Sequence, residues 1–136
     1  MQLILFLYFL PASCDRTFTN SSGTVTLPYY QSLSHYANNL NCLYDIRVGS
    51  GNAIRLTWTS FDIKGKMPSC YDDYVEIFIG CNRRSIGRYC SENNDTTPFD
   101  VYSPDNCLRL KFKSDSSGTG LGFEATYSTV SYIYGK

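Results

Sequence analysis

Apolar and polar side chains alternate along this chain in short runs. Cys42, Tyr44, Ile46 and Val48 fall on one face of an extended segment, with Leu43, Asp45 and Arg47 on the other, which is the two-residue period of a half-buried strand. Gly49-Ser50-Gly51-Asn52 interrupts the run, after which Ile54, Leu56 and Trp58 alternate with Arg55, Thr57 and Thr59. The gap between the two runs has the length of a hairpin turn, so a hairpin is expected here. Val75, Ile77 and Ile79 oppose Tyr74, Glu76 and Phe78, with apolar groups on both faces as in a central strand. Leu108, Leu110 and Phe112 alternate with Arg109, Lys111 and Lys113; a loop rich in Ser and Gly, Ser114 to Gly122, leads to Phe123, Ala125 and Tyr127 alternating with Glu124 and Thr126. No segment sustains the period of a helix. Short strands with turn signals at roughly 8 to 12 residues predict an all-β antiparallel sandwich.

Composition agrees. Twelve Tyr, eight Phe and one Trp suit a pleated surface better than a helix, and 136 residues suit one domain. Lys plus Arg equals Asp plus Glu at 12 each, so no global field draws the chain to nucleic acid or to an anionic membrane. Any partner must be recognised locally. Six cysteines without a C-x2-C pair point to disulfides rather than structural zinc, and hence to an oxidising, extracellular compartment. Leu3 to Leu10 resembles the apolar core of a secretory signal and is too short to span a bilayer. Residues 1–13 are therefore expected to be a signal peptide. No Lys or Arg precedes the apolar run and Pro11-Ala12-Ser13 is a mediocre cleavage site, as in a truncated signal or one with its first methionine misassigned. Cys14 as a lipid acceptor is the competing reading, and it would leave an odd cysteine. Asn20-Ser21-Ser22 and Asn94-Asp95-Thr96 fit the N-glycosylation acceptor, making Asn20 and Asn94 candidate sugar sites.

Four ordered motifs then carry a resemblance. Cys14, Leu27-Pro28-Tyr29-Tyr30, Tyr36 and Cys42-Leu43-Tyr44-Asp45-Ile46 open it; Cys70-Tyr71-Asp72-Asp73-Tyr74-Val75-Glu76-Ile77, Gly87-Arg88-Tyr89-Cys90 and Ser114-Asp115 continue it; Gly122-Phe123-Glu124-Ala125-Thr126-Tyr127 closes it. The chain resembles a CUB domain, an extracellular module, with Tyr44 standing where the family usually has Trp. The resemblance implies a jelly-roll-like sandwich of two antiparallel sheets over residues 14–129, with 130–136 as a C-terminal tail. It implies the disulfides Cys14–Cys42 and Cys70–Cys90. Cys81 and Cys107 lie outside the family pattern. Cys81 follows the strand ending at Ile79 and Cys107 precedes the strand from Leu108, so a third bridge is the economical reading. Two buried thiols, or one exposed thiol pairing with another chain, stay open.

Many CUB domains bind Ca²⁺ through a tyrosine, a glutamate in an F-D-x-E segment, the Asp of C-x-Y-D and the Asp of S-D. Tyr36, Asp73 and Asp115 hold the matching positions, but in Phe61-Asp62-Ile63-Lys64 the glutamate position is Lys64. An ammonium has three donors and no lone pair and cannot ligate calcium. The expectation is no metal, with the Lys64 ammonium substituting for the ion between Asp73 and Asp115 through charge-assisted hydrogen bonds. The competing readings are a lysine solvated in the loop Lys64 to Pro68, and residual calcium binding. Calcium-binding members commonly receive a partner's lysine in this cage, a mode that Lys64 would block.

Two further candidates for recognition remain. Arg83, Arg84 and Arg88 form a basic cluster that could read a sulfated glycan or an acidic protein; Tyr29, Tyr30 and Tyr102 form an aromatic group of the kind enriched at interfaces. His35 stands without a partner motif, and neither H-E-x-x-H, nor G-x-S-x-G, nor a phosphate-cradling glycine loop occurs. Asp72 and Asp73 would face opposite sides, which argues against an acid/base pair. The sequence thus reads as a secreted, non-catalytic, calcium-independent module for extracellular protein or glycan. The alternative is an accessory domain from a larger mosaic protein such as an extracellular protease or receptor.

Overall fold

The alternating runs become strands of two stacked sheets. The structure is a computed structural model that describes residues 14–28, 35–91 and 97–131. The expected signal segment, Tyr29, Tyr30, Asn94 and residues 132–136 lie outside the described residues. The strands are β1 (Arg16–Phe18), β2 (Ser22–Thr26), β3 (Asn41–Arg47), β4 (Asn52–Asp62), β5 (Tyr74–Ile79), β6 (Arg84–Tyr89), β7 (Val101–Ser103), β8 (Cys107–Lys113) and β9 (Gly122–Ser131). They form a five-stranded sheet, β1-β3-β8-β5-β6, and a four-stranded sheet, β2-β9-β4-β7. Neighbours run antiparallel except β1 and β3, which are parallel.

The expected hairpin between β3 and β4 does not form. β3 pairs with β1 and β8, whereas β4 pairs with β7 and β9, so Gly49 to Gly51 carries the chain from one sheet to the other. A link of a few residues spans the ~10 Å between stacked sheets as easily as it folds back within one. Loop length therefore cannot name the partner strand.

Each alternating run turns its apolar face into the space between the sheets. Tyr44, Phe61, Phe112 and Phe123 are wholly buried there, with Trp58 edge-on to Phe61 at 5.1 Å and to Phe123 at 5.6 Å. In β4 the register shifts between Trp58 and Ser60. The bulge changes which parity of residue faces inward, from Ile54, Leu56 and Trp58 to Phe61. Thr59, the extra residue, turns outward and donates to Glu124 Oε1 at 2.8 Å.

Disulfides Cys14–Cys42, Cys70–Cys90 and Cys81–Cys107 are formed and no cysteine is free. The last ties the turn after β5 to the start of β8. At the other end of those strands, three connections meet: β2 to β3, β4 to β5 and β8 to β9. That end holds the cage residues.

Candidate functional site: a closed acidic cage

Asp73 sits immediately before β5 and is wholly buried. Its Oδ2 accepts from the Tyr36 hydroxyl at 2.6 Å and its Oδ1 from the Asp115 backbone N–H at 2.8 Å. The Tyr36 oxygen in turn accepts from the Lys64 backbone N–H at 3.0 Å. One carboxylate therefore joins all three connections. The Tyr36 ring is fixed edge-on to Phe112, 5.0 Å between centroids, and the Tyr36 N–H donates to the Gly120 carbonyl at 3.0 Å.

Burial pushes the Asp73 carboxyl above its usual range, while the hydrogen bonds from Tyr36 and Asp115 pull it back. Tyr36 is driven well above the ordinary phenol range, first by burial and then by its bond to Asp73. Asp115 moves the other way, lowered first by the Ser117 N–H that it accepts at 3.1 Å and further by Lys64.

The Lys64 side chain, 23% exposed, extends across the mouth of this cage. Its Nζ donates to the Ser117 carbonyl at 2.6 Å and lies 3.6 Å from Asp115 Oδ1 and 3.9 Å from Asp72 Oδ1. Gly118, at φ +79, makes room for it: a Cβ there would stand 2.8 to 2.9 Å from Lys64 Cδ, Cε and Nζ. The ammonium was expected between Asp73 and Asp115; it is Asp72, not Asp73, that shares it with Asp115. Both Asp73 oxygens are turned inward and already accept hydrogen bonds. Asp72, the neighbouring residue in the bend before β5, faces the ammonium instead. A merely solvated lysine does not describe this geometry.

Tyr36, Lys64, Asp73 and Asp115 are thus brought together, and Asp72 and Ser117 join them. Charge, rather than the count of lone pairs, stands against a dication. Asp73 and Tyr36 are hydrogen-bonded but keep lone pairs, whereas the Asp115 carboxylate faces an ammonium. A hard cation needs about 6 to 8 oxygens and would meet a positive charge beside it.

The remaining candidates separate. Arg83 lies in the turn after β5 at φ 57, Arg84 opens β6, and Arg88 stands 3.8 Å from Glu76 with its guanidinium 4.1 Å above the Tyr74 ring. Across β5, Arg84 pairs with Ile79 and Arg88 with Glu76. Asn20 is exposed. Tyr102, 59% exposed on β7, lies beside Arg55 in the other sheet. His35 is exposed, its Nδ1 3.0 Å from the Tyr36 carbonyl oxygen.

The family model for the CUB domain matches residues 14–127. Cubilin of Rattus norvegicus is 34% identical over 119 residues, covering 86% of this chain and 3% of that protein. Tolloid-like protein 2 of Mus musculus is 35% identical over 126 residues, covering 91% of this chain and 12% of that protein. The chain therefore spans a small part of these relatives. Among solved structures, the MASP-1 CUB2 domain bound to Ca²⁺ superposes with a TM-score of 0.69 at 26% identity, covering 83% of this chain and 96% of that one.

Proposed function

The chain belongs to the CUB domain family, and from that premise we propose that it is a non-catalytic extracellular binding module whose acidic cage is closed by its own lysine and needs no calcium. The observation that carries this is the Lys64 ammonium, held by the Ser117 carbonyl, Asp115 and Asp72 across the mouth of the cage. MASP-1 CUB2, a fold neighbour, was solved with Ca²⁺; here a covalently attached cation does the corresponding work of neutralising carboxylates and joining the loops. It can neither be removed by a chelator nor leave room for a partner's lysine.

Recognition then falls to other surfaces. Three disulfides suit the oxidising conditions outside the cell. The module can serve alone or within a mosaic, as the small share it covers of cubilin and tolloid-like protein 2 favours. Calorimetric titration with Ca²⁺ tests the metal-free cage: no saturable heat is expected from the wild type, and a 1:1 isotherm would overturn the reading. Lys64→Glu, which restores a carboxylate at the mouth, is expected to acquire that isotherm.

A further inference from the structure

The chain has no net charge, yet five of its twelve basic residues share one surface. The outward positions of the five-stranded sheet include Arg47 of β3, Arg109, Lys111 and Lys113 of β8 and Arg88 of β6, opposed by Asp45 and Glu76. The outward positions of the other sheet are largely hydroxyls, such as Thr24, Thr57, Thr126 and Ser128, and its Arg55 is tied to Asp100 at 2.8 Å.

At the end of the cationic face remote from the cage, the surface sinks into a cavity of about 200 Å³. The register places Thr17, Asp45 and Arg109 in one cross-strand row there. Arg109 grips Asp45, the cavity's one lining carboxylate, with bonds of 2.7 and 2.9 Å. Arg47 and Arg83 also line it, and neither has an ion pair among the described residues. The Asp45 carboxyl is held below its usual range first by Arg109 and further by Arg83 and Arg47. The Cys81–Cys107 bridge forms part of the wall and anchors the turn that carries Arg83. Asp105 secures that turn by accepting from the Cys81 and Cys107 N–H groups, both at 3.1 Å.

We propose that this cavity and the cationic row leading from it along β8 bind a sulfated glycan chain, with one sulfate seated between Arg47 and Arg83. Arg109, Lys111 and Lys113 recur at every second residue, about 7 Å apart on one face, a spacing suited to a polymer that carries charge at regular intervals. A protein partner would call for apolar anchors. Among the described residues, the exposed large apolar ones lie elsewhere: Met67, Tyr71 and Leu121 in loops at the cage end, Phe99 ahead of β7, and Tyr102 and Val130 on the other sheet. Charge without apolar anchors favours the glycan. The inference builds on the binding-module reading but does not depend on the state of the cage.

The test is binding of a heparin oligosaccharide at low salt, followed by elution with NaCl. Wild type is expected to bind, with affinity falling steeply as salt rises. Arg47→Ser with Arg83→Ser should weaken binding by at least roughly tenfold, the loss of about one charge-assisted hydrogen bond. Lys111→Ser with Lys113→Ser should lower the salt needed for elution, and Arg55→Ser, on the other sheet, should change nothing. Arg47 and Arg83 are exposed, and an unchanged melting temperature in their double variant checks that the fold is kept. Wild-type retention in EDTA is expected whether or not the Ca²⁺ titration reveals a site, which separates this outcome from the cage. The proposal is overturned if wild type is not retained, if the cavity variants bind unchanged, if Arg55→Ser weakens binding equally, or if polyglutamate or fully desulfated heparin binds as tightly.

Discussion

Removing a single oxygen from the cage should be severe. Tyr36→Phe keeps the ring against Phe112 but deletes the hydroxyl that donates to Asp73 at 2.6 Å and accepts from Lys64 N–H at 3.0 Å. Losing a hydrogen bond to a charged, buried acceptor costs about 1.5–3 kcal/mol, and the orphaned amide about 1 kcal/mol more because it is only partly buried. The sum, about 2.5–4 kcal/mol, corresponds to roughly 8–15 °C of melting temperature for a domain of this size. Thermal unfolding with the disulfides intact, at neutral pH, is the assay. A drop below about 2 °C would mean that Tyr36 OH does not join these loops, and the cage as described would be wrong. In that event the Asp73 carboxylate must find its partner elsewhere.

Acid should not weaken the fold at once. Because burial raises Asp73, the folded chain takes up a proton before the unfolded one does, so its contribution to stability grows as pH falls from the folded value towards about 3.9. Asp45 and Asp115 are lowered, so their contribution is present above about 3.9 and is lost as pH falls through their folded values. Stability should therefore hold or rise on acidification to about pH 4 and fall only below it, with the rise absent in Asp73→Asn; a steady loss from neutral pH downwards would contradict the assignment. Replacing Cys81 and Cys107 together by Ser should destabilise by about 3.5 kcal/mol, the chain-entropy value for a loop closed over a separation of 26 residues. The same variant should weaken heparin retention, because the turn carrying Arg83 is freed; denaturant unfolding and the elution salt read the two effects.

Much of the sandwich was legible because strands buried on one face must alternate, and β3, β4, β5, β8 and β9 do so. β6, whose exposed and half-buried residues follow no two-residue period, and the three-residue strands β1 and β7 carry no such signal. The link from β3 to β4 misled because length fixes reach and not partner. In the cage, Tyr36, Lys64, Asp73 and Asp115 were found through motifs. Ser117 contributes a backbone carbonyl, which no side-chain pattern marks. The exchange of Asp73 for Asp72 as the partner of Lys64 depends on how the chain turns just before β5. Arg83, Arg84 and Arg88 were grouped by sequence proximity, whereas the surface groups Arg83 with Arg47 and Arg109 through β3 and β8.

The central claim is that Lys64 stands where a calcium ion would be. Its most direct test is the melting temperature of wild type and Lys64→Glu, each in EDTA and in about 10 mM Ca²⁺, well above the ~0.1–1 mM dissociation constants of extracellular calcium modules. A site bound at ten times its dissociation constant stabilises by about 1.4 kcal/mol, or several degrees. The account predicts no shift for wild type and a saturable rise for Lys64→Glu. A saturable rise in wild type would contradict it.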